Sequence, residues 1–250
     1  MIQRIFENQL DLAGAAAADA SVLIRLAIAA RGCARIVAST GLSQREFLAR
    51  LVGSPGIDWQ RVELFHLDEY IGLSPDHPAS FNRYIRQHII DRIGPGLKQA
   101  YLLDGMANPQ QMCAAAGAAI SSGPVDLAFV GIGENGHLAF NDPPADFTTT
   151  EPFLVVNLDQ RCREQQVGEG WFRSLEDVPR RAITMSVRQI LKAESILCIA
   201  PEARKAEAVK LCFEGDISPM APASALRLHP NTTVFLDRDS ARLVQNNPAL

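Results

Sequence analysis

The chain has 250 residues, 47% hydrophobic and 21% charged, with a net charge of −4, an ordinary globular composition that argues against long disorder. Without a basic surplus to neutralise phosphates, nucleic acid is excluded as a partner. No apolar run approaches the roughly 20 residues of a membrane span, so a membrane partner is excluded as well. The five cysteines, Cys33, Cys113, Cys162, Cys198 and Cys212, are odd in number and never form a C-x-x-C pair, which argues against a disulfide framework or a thiolate metal site. Met1 to Asn8 lack the basic-then-apolar layout of a signal peptide, and the cytoplasm is the expected compartment.

In chain order, the alanine-rich segment from Leu10 to Arg31 reads as a long helix. Arg35–Ala38 is a short strand and Glu46–Val52 a helix; Val62–Leu67 is a second strand, followed by a helix over Ala79–Ile93. A helix through Gln110–Ile120 leads into Leu127-Ala128-Phe129-Val130, an apolar run of the kind found in buried parallel strands. Strands follow at Phe153–Asn157, Ala182–Met185 and Ser195–Ala200, then a helix over Glu202–Phe213 and a last strand at Thr232–Leu236. Strands alternating with helices predict one α/β domain over residues 1–250, a largely parallel, modified Rossmann-like sheet with helices on both faces. In such sheets ligands sit beyond the carboxyl ends of the strands.

Three strand ends carry chemically capable residues. The first runs into Ser39-Thr40-Gly41-Leu42-Ser43-Gln44-Arg45-Glu46. Gly41 permits a close approach by a ligand, and Ser43 with Glu46 matches a capping box, so the loop and helix start form a candidate anion cradle. The second runs into His66-Leu67-Asp68-Glu69-Tyr70. A carboxylate held at a sheet end, out of water, gains the basicity that proton abstraction requires. The structural alternative has Asp68 capping a turn and Glu69 facing solvent, and His66 reads as a packed strand histidine. The third is Val130-Gly131-Ile132-Gly133-Glu134-Asn135-Gly136-His137, continuing to Asn141-Asp142-Pro143. Its glycines let the backbone lie against a ligand, His137 brings an imidazole able to act as acid or base, and Asn135 and Asp142 stand ready to orient it.

The third segment, with its G-x-G-x-N-G-H-L-A-F-N-D-P core, resembles the signature of the glucosamine-6-phosphate deaminase (isomerase) family. Leu67-Asp68-Glu69-Tyr70-Ile71-Gly72-Leu73, with His77-Pro78-Ala79-Ser80-Phe81, resembles a second signature of that family. Thr40–Ser43 and Arg204-Lys205-Ala206 fall where the family places a phosphate loop and a phosphate lysine. The resemblance implies conversion of glucosamine 6-phosphate to fructose 6-phosphate and ammonia without metal or organic cofactor. His137, poised by Asn135 and Asp142, would open the sugar ring, and Asp68 would move the proton between C2 and C1. Thr40, Gly41, Ser43, Gly131 and Lys205 would bind the sugar phosphate.

Several positions depart from the family pattern. Aspartate stands at 142 in place of the usual glutamate, and the phosphate loop lacks its proline. Within Asp159–Gln166 a glutamine occupies the position of a phosphate-binding arginine, with Arg161 and Arg163 as candidate substitutes. These changes point to a divergent subgroup. The sister activity, 6-phosphogluconolactonase, is the alternative reading, although Leu138-Ala139-Phe140-Asn141 and Tyr70 follow the deaminase pattern. A non-catalytic sugar-phosphate-binding protein is a third. Family chains range from monomers to hexamers, and a homo-oligomer is left open.

Overall fold

The computed structural model describes residues 1–94 and 96–245. The chain opens with β1 (Ile2–Phe6), α1 (Gln9–Arg31), β2 (Ala34–Ala38), α2 (Leu42–Val52), β3 (Val62–His66) and β4 (Asp68–Tyr70). Next come α3 (Phe81–His88), β5 (Gln99–Tyr101), α4 (Pro109–Ser121), β6 (Leu127–Val130), β7 (Phe153–Asn157) and α5 (Gln160–Gly168). It closes with β8 (Arg181–Met185), α6 (Val187–Ile190), β9 (Ser195–Ile199), α7 (Ala206–Glu214), β10 (Thr232–Asp237) and α8 (Arg238–Ala241).

Seven strands form a parallel sheet in the order β1-β10-β9-β6-β2-β3-β5. Side chains alternate across it as strand geometry demands. Ile36, Leu64, Phe129, Leu197 and Phe235 pack on one face against α1 and α2, while Val37, Phe65, Val130, Cys198 and Val234 pack on the other with α4 and α7. Both faces are therefore covered, as expected of a parallel sheet. Cys198 is a fully buried core thiol.

By length and composition α1 could cross a membrane, a property that counting uninterrupted apolar residues in the sequence does not register. In the fold it is a core helix, with Leu12, Ala16, Ala20, Ile24 and Ala27 buried on the sheet. Its ends are fixed by the Asn8 side chain, which accepts from Asp11 N, and by Gly32, whose φ of 77° is left-handed.

The sequence reading is corrected in several places. Not all strands join one sheet: β4, β8 and β7 form a separate antiparallel ribbon, with Asp68 opposite Thr184 and Phe153 opposite Met185. β1 and β5 lie at the two edges of the large sheet and were not anticipated. The helix expected over Ala79–Ile93 is confined to Phe81–His88, with a 3-10 turn at Ile90–Arg92, and that expected from Glu202 opens as a 3-10 turn at Ala203–Lys205. Ser43 does not cap α2; Gly41 takes the N-cap position, without a side-chain bond, and Ser43 lies inside the first turn.

His66 ends β3 at 1% exposure, its Nδ1 accepting from Leu103 N at 3.3 Å. Burial holds the ring neutral, with a pKa of about 3. Below its unfolded value of about 6.5 the unfolded chain takes up a proton that the folded chain refuses, so stability falls as pH drops from there toward 3. His66→Asn keeps an acceptor for Leu103 N and removes the titration. Urea midpoints measured between pH 6.5 and 4 should fall less steeply for this variant than for the wild type.

Candidate active site

The carboxyl ends of β2, β3 and β6 converge on one cleft. Of the residues singled out in the sequence, Thr40, Gly41, Ser43, Asp68, Gly131, His137 and Lys205 all line it. Asn135 and Asp142 do not; they stand behind His137 and hold it.

Chain geometry explains the convergence. After His66 the chain leaves the large sheet, and Asp68 starts the antiparallel pairing with β8, which leaves its carboxyl at the mouth between the two sheets. Asp68 is 5% exposed; burial, then the neighbouring charge of Glu69, hold its pKa well above the usual carboxylate range. Glu69 does not face solvent. Its carboxylate accepts from Tyr70 N, Ser80 Oγ, Phe81 N and Asn82 N at the start of α3. Tyr70 lies at the centre of a ring cluster with Phe81, Phe140 and Phe172.

His137 Nδ1 faces Asp142 Oδ1 at 3.2 Å. Asn135 bridges the pair: its amide donates to Asp142 Oδ1 at 3.1 Å, and its Oδ1 accepts from His137 N at 3.1 Å. Asp159 N donates to the other Asp142 oxygen at 2.9 Å. Burial alone would raise the Asp142 pKa, but the hydrogen bond from His137 and the other donors outweigh it and keep the group ionised. The shorter side chain therefore still reaches the histidine. The ring lies flat over Gly133, where a Cβ would overlap it, and Gly133 N donates to His137 O at 3.0 Å. Ala139, two residues on, has a φ of 54°, a left-handed conformation that alanine adopts only under constraint.

The far end of the cleft combines a helix start with a buried ammonium. Gly41, with φ of 104°, opens α2 so that the first turn of an eleven-residue helix faces the cleft. Tyr84 OH fixes this loop by donating to Gly41 O at 2.9 Å. Lys205 is 3% exposed; burial first, then the adjacent Arg204, lower its pKa. It is the one cationic side chain among the described residues lining the cleft.

Neither candidate arginine replaces the expected one. Arg163 Nη2 donates to Leu175 O and Val178 O, and Arg161 lies on an outer surface beside Glu164 and Arg204. Gln165, Gln166 and Glu169 line the cleft instead, and sequence reading missed their joint presence. Their signal was the polar run Gln165-Gln166-Val167-Gly168-Glu169, which brings three hydrogen-bonding side chains to the end of α5. Glu169 accepts from Arg204 at 2.6 Å, Gln165 at 2.8 Å and Trp171 Nε1 at 3.0 Å. Burial would raise its pKa, but Arg204 and these donors lower it.

With this geometry in view, comparison with known proteins is decisive on kinship. The family model described as glucosamine-6-phosphate isomerases/6-phosphogluconolactonase matches residues 7–235. The chain belongs to this enzyme family. A glucosamine-6-phosphate deaminase of Geobacillus sp. (strain WCH70) is 40% identical over 191 residues, covering 76% of this chain and 74% of the relative. That of Bacillus pumilus (strain SAFR-032) is 35% identical over 231 residues, covering 90% and 94%. A monomeric glucosamine-6-phosphate deaminase of known structure superposes with a TM-score of 0.87 at 29% identity, covering 97% of this chain and all of that one. The 6-phosphogluconolactonase of Trypanosoma brucei shares the fold, with a TM-score of 0.79 at 17% identity and coverage of 97% and 98%.

Because the ring of His137 rests on Gly133, a methyl group there displaces it on the order of 1 Å. Gly133→Ala should lower turnover of glucosamine 6-phosphate, the substrate named for these relatives, by about a hundredfold while leaving the circular dichroism spectrum unchanged.

Proposed function

We propose that the protein is an amino-sugar-phosphate deaminase/isomerase that converts glucosamine 6-phosphate, or a close analogue, and water to fructose 6-phosphate and ammonia. The observation that carries this reading is the placement of two separate proton-transfer groups, Asp68 and the His137–Asp142 pair, in one cleft with a buried ammonium, Lys205. Lactone hydrolysis needs only the histidine to activate water; aldose–ketose isomerisation also needs a base along the C1–C2 edge, and Asp68 meets that need.

In this mechanism Lys205, the start of α2 and the amides of α5 hold the phosphate, and that remote binding orients the reacting end of the sugar. His137, its Nδ1–H held against the ionised Asp142, passes a proton to and from the ring oxygen as the pyranose opens. Asp68 takes the C2 proton and returns it to C1 through an enolamine, its raised pKa making it the stronger base. The ketose imine then hydrolyses and ammonia leaves. No bound group enters these steps.

The test is a coupled measurement of ammonia and fructose 6-phosphate from glucosamine 6-phosphate, beside a parallel measurement on fresh 6-phosphogluconolactone. Equal release of both products with no lactone hydrolysis above the spontaneous rate supports the reading; the reverse pattern assigns the sister activity. Asp68→Asn should lower deamination by about 10²–10⁴-fold while leaving sugar-phosphate affinity within a few fold. Near-normal turnover by that variant would remove Asp68 from the chemistry.

The phosphate end makes a separate prediction. Lys205→Gln should raise KM by about a hundredfold, the scale of a buried charge-assisted hydrogen bond. Gln166→Leu should raise it by only about three- to tenfold, the scale of a neutral one, and kcat should change little in either variant.

A further inference from the structure

The catalytic pair has a neighbour with no part in the proposed reaction. Cys162, in the first turn of α5 and 1% exposed, places its sulfur beside Asp142. His137 Nδ1, an Asp142 oxygen and Cys162 Sγ all lie within 4.8 Å of one another. We propose that these three side chains form a binding site for a thiophilic divalent cation, zinc above all, and that occupation switches the enzyme off.

The donor set selects the metal. Nitrogen, carboxylate and thiolate together suit zinc, whereas magnesium and calcium take oxygen ligands. The spacing fits: Zn–N and Zn–O bonds of roughly 2.0–2.2 Å at a tetrahedral angle separate the ligand atoms by about 3.4 Å. His137 Nδ1 and Asp142 Oδ1 already stand 3.2 Å apart. His137 Nδ1 is enclosed, and the Asp142 carboxylate and Cys162 Sγ both lie within 4.8 Å of it. Two anionic ligands and a neutral imidazole balance the charge of a divalent ion.

A second hollow, distinct from the substrate cleft, reaches Asp142. It is shared with Asp146 and Asp159, and no basic side chain lines it among the described residues. A surface with one sign of charge concentrates cations at its floor. On binding, the aquated ion loses water, the imidazole proton passes from Nδ1 to Nε2 by exchange with solvent, the thiol proton leaves to bulk solvent, and Zn–N, Zn–O and Zn–S bonds form; no electrons are transferred. The Nδ1 lone pair is then committed to the metal. His137 can no longer carry a second proton, and Asp142 can no longer stabilise one, so ring opening stops while the cleft stays open to sugar phosphate.

The loss of turnover rests on the role proposed for His137, but metal binding does not, so binding is measured first. In a Cys33→Ser, Cys113→Ser background, which removes the two partly exposed thiols, equilibrium dialysis against zinc chloride should give one bound ion per chain. Cobalt chloride should give a near-ultraviolet thiolate-to-metal absorption band. Cys162→Val should abolish the band and weaken zinc binding by about a hundredfold or more, and Cys162→Ser should also abolish the band. Zinc should inhibit the Cys162-containing enzyme reversibly by chelator, each variant being compared with its own metal-free rate. Unchanged zinc binding by both variants, or a cobalt complex without a thiolate band, overturns the site. One zinc bound through Cys162 with turnover unaffected keeps the site and overturns the switch.

Discussion

The carboxylate of Glu69 is the constraint on which the cleft depends. It takes four donors from the start of α3 and from its own strand, and so fixes the chain where it leaves the large sheet for the small one. Asp68 is held one residue away, between the sheets. The same anchored charge is the second cause, after burial, of the raised Asp68 pKa. One residue thus serves the fold by filling the unpaired N–H groups of a helix and serves the chemistry by making its neighbour more basic.

The two ends of the cleft divide the electrostatics. At the reacting end, buried acids are tuned in opposite directions: Asp68 upward by burial and Glu69, Asp142 downward by hydrogen bonds that overcome burial. Groups pushed apart in this way suit different steps of one reaction. At the phosphate end, Arg204 is tied to Glu134, Glu169 and Glu202, which leaves Lys205 as the cation turned to the cleft. Trp171, Gln165 and Glu169 in turn brace α5, so the Lys205 end of the cleft is stiffened by a network of its own.

Much of this was legible in the residues. The apolar runs of β2, β3, β6, β9 and β10 announced the parallel core, and the glycines before His137 announced a close approach. What stayed hidden depends on partners distant in sequence. β1 and β5 are short, half-buried edge strands whose pattern declares nothing until a neighbour pairs with them. The acidic pair Asp68-Glu69 looks symmetrical in sequence, and only the position of α3 separates a base from an anchor. Ser43 had the right spacing for a cap, but the left-handed Gly41 begins the helix earlier. The glutamines at the end of α5 resemble an ordinary solvated face until the fold turns them inward.

The bound state of Arg204 also bears on how the protein meets its ligand in a crowded ionic medium. Attraction that rests on oriented backbone and amide dipoles and on one enclosed ammonium, its field offset by the nearby Glu169 carboxylate, is short in range, since dipoles and paired charges fall away faster than a lone charge. In the proposed binding mode ionic strength acts weakly on a phosphate at the buried Lys205, and a chain with a net charge of −4 offers an anionic sugar no long-range pull toward the cleft. Capture depends on collision and fit at the mouth rather than on guidance from afar.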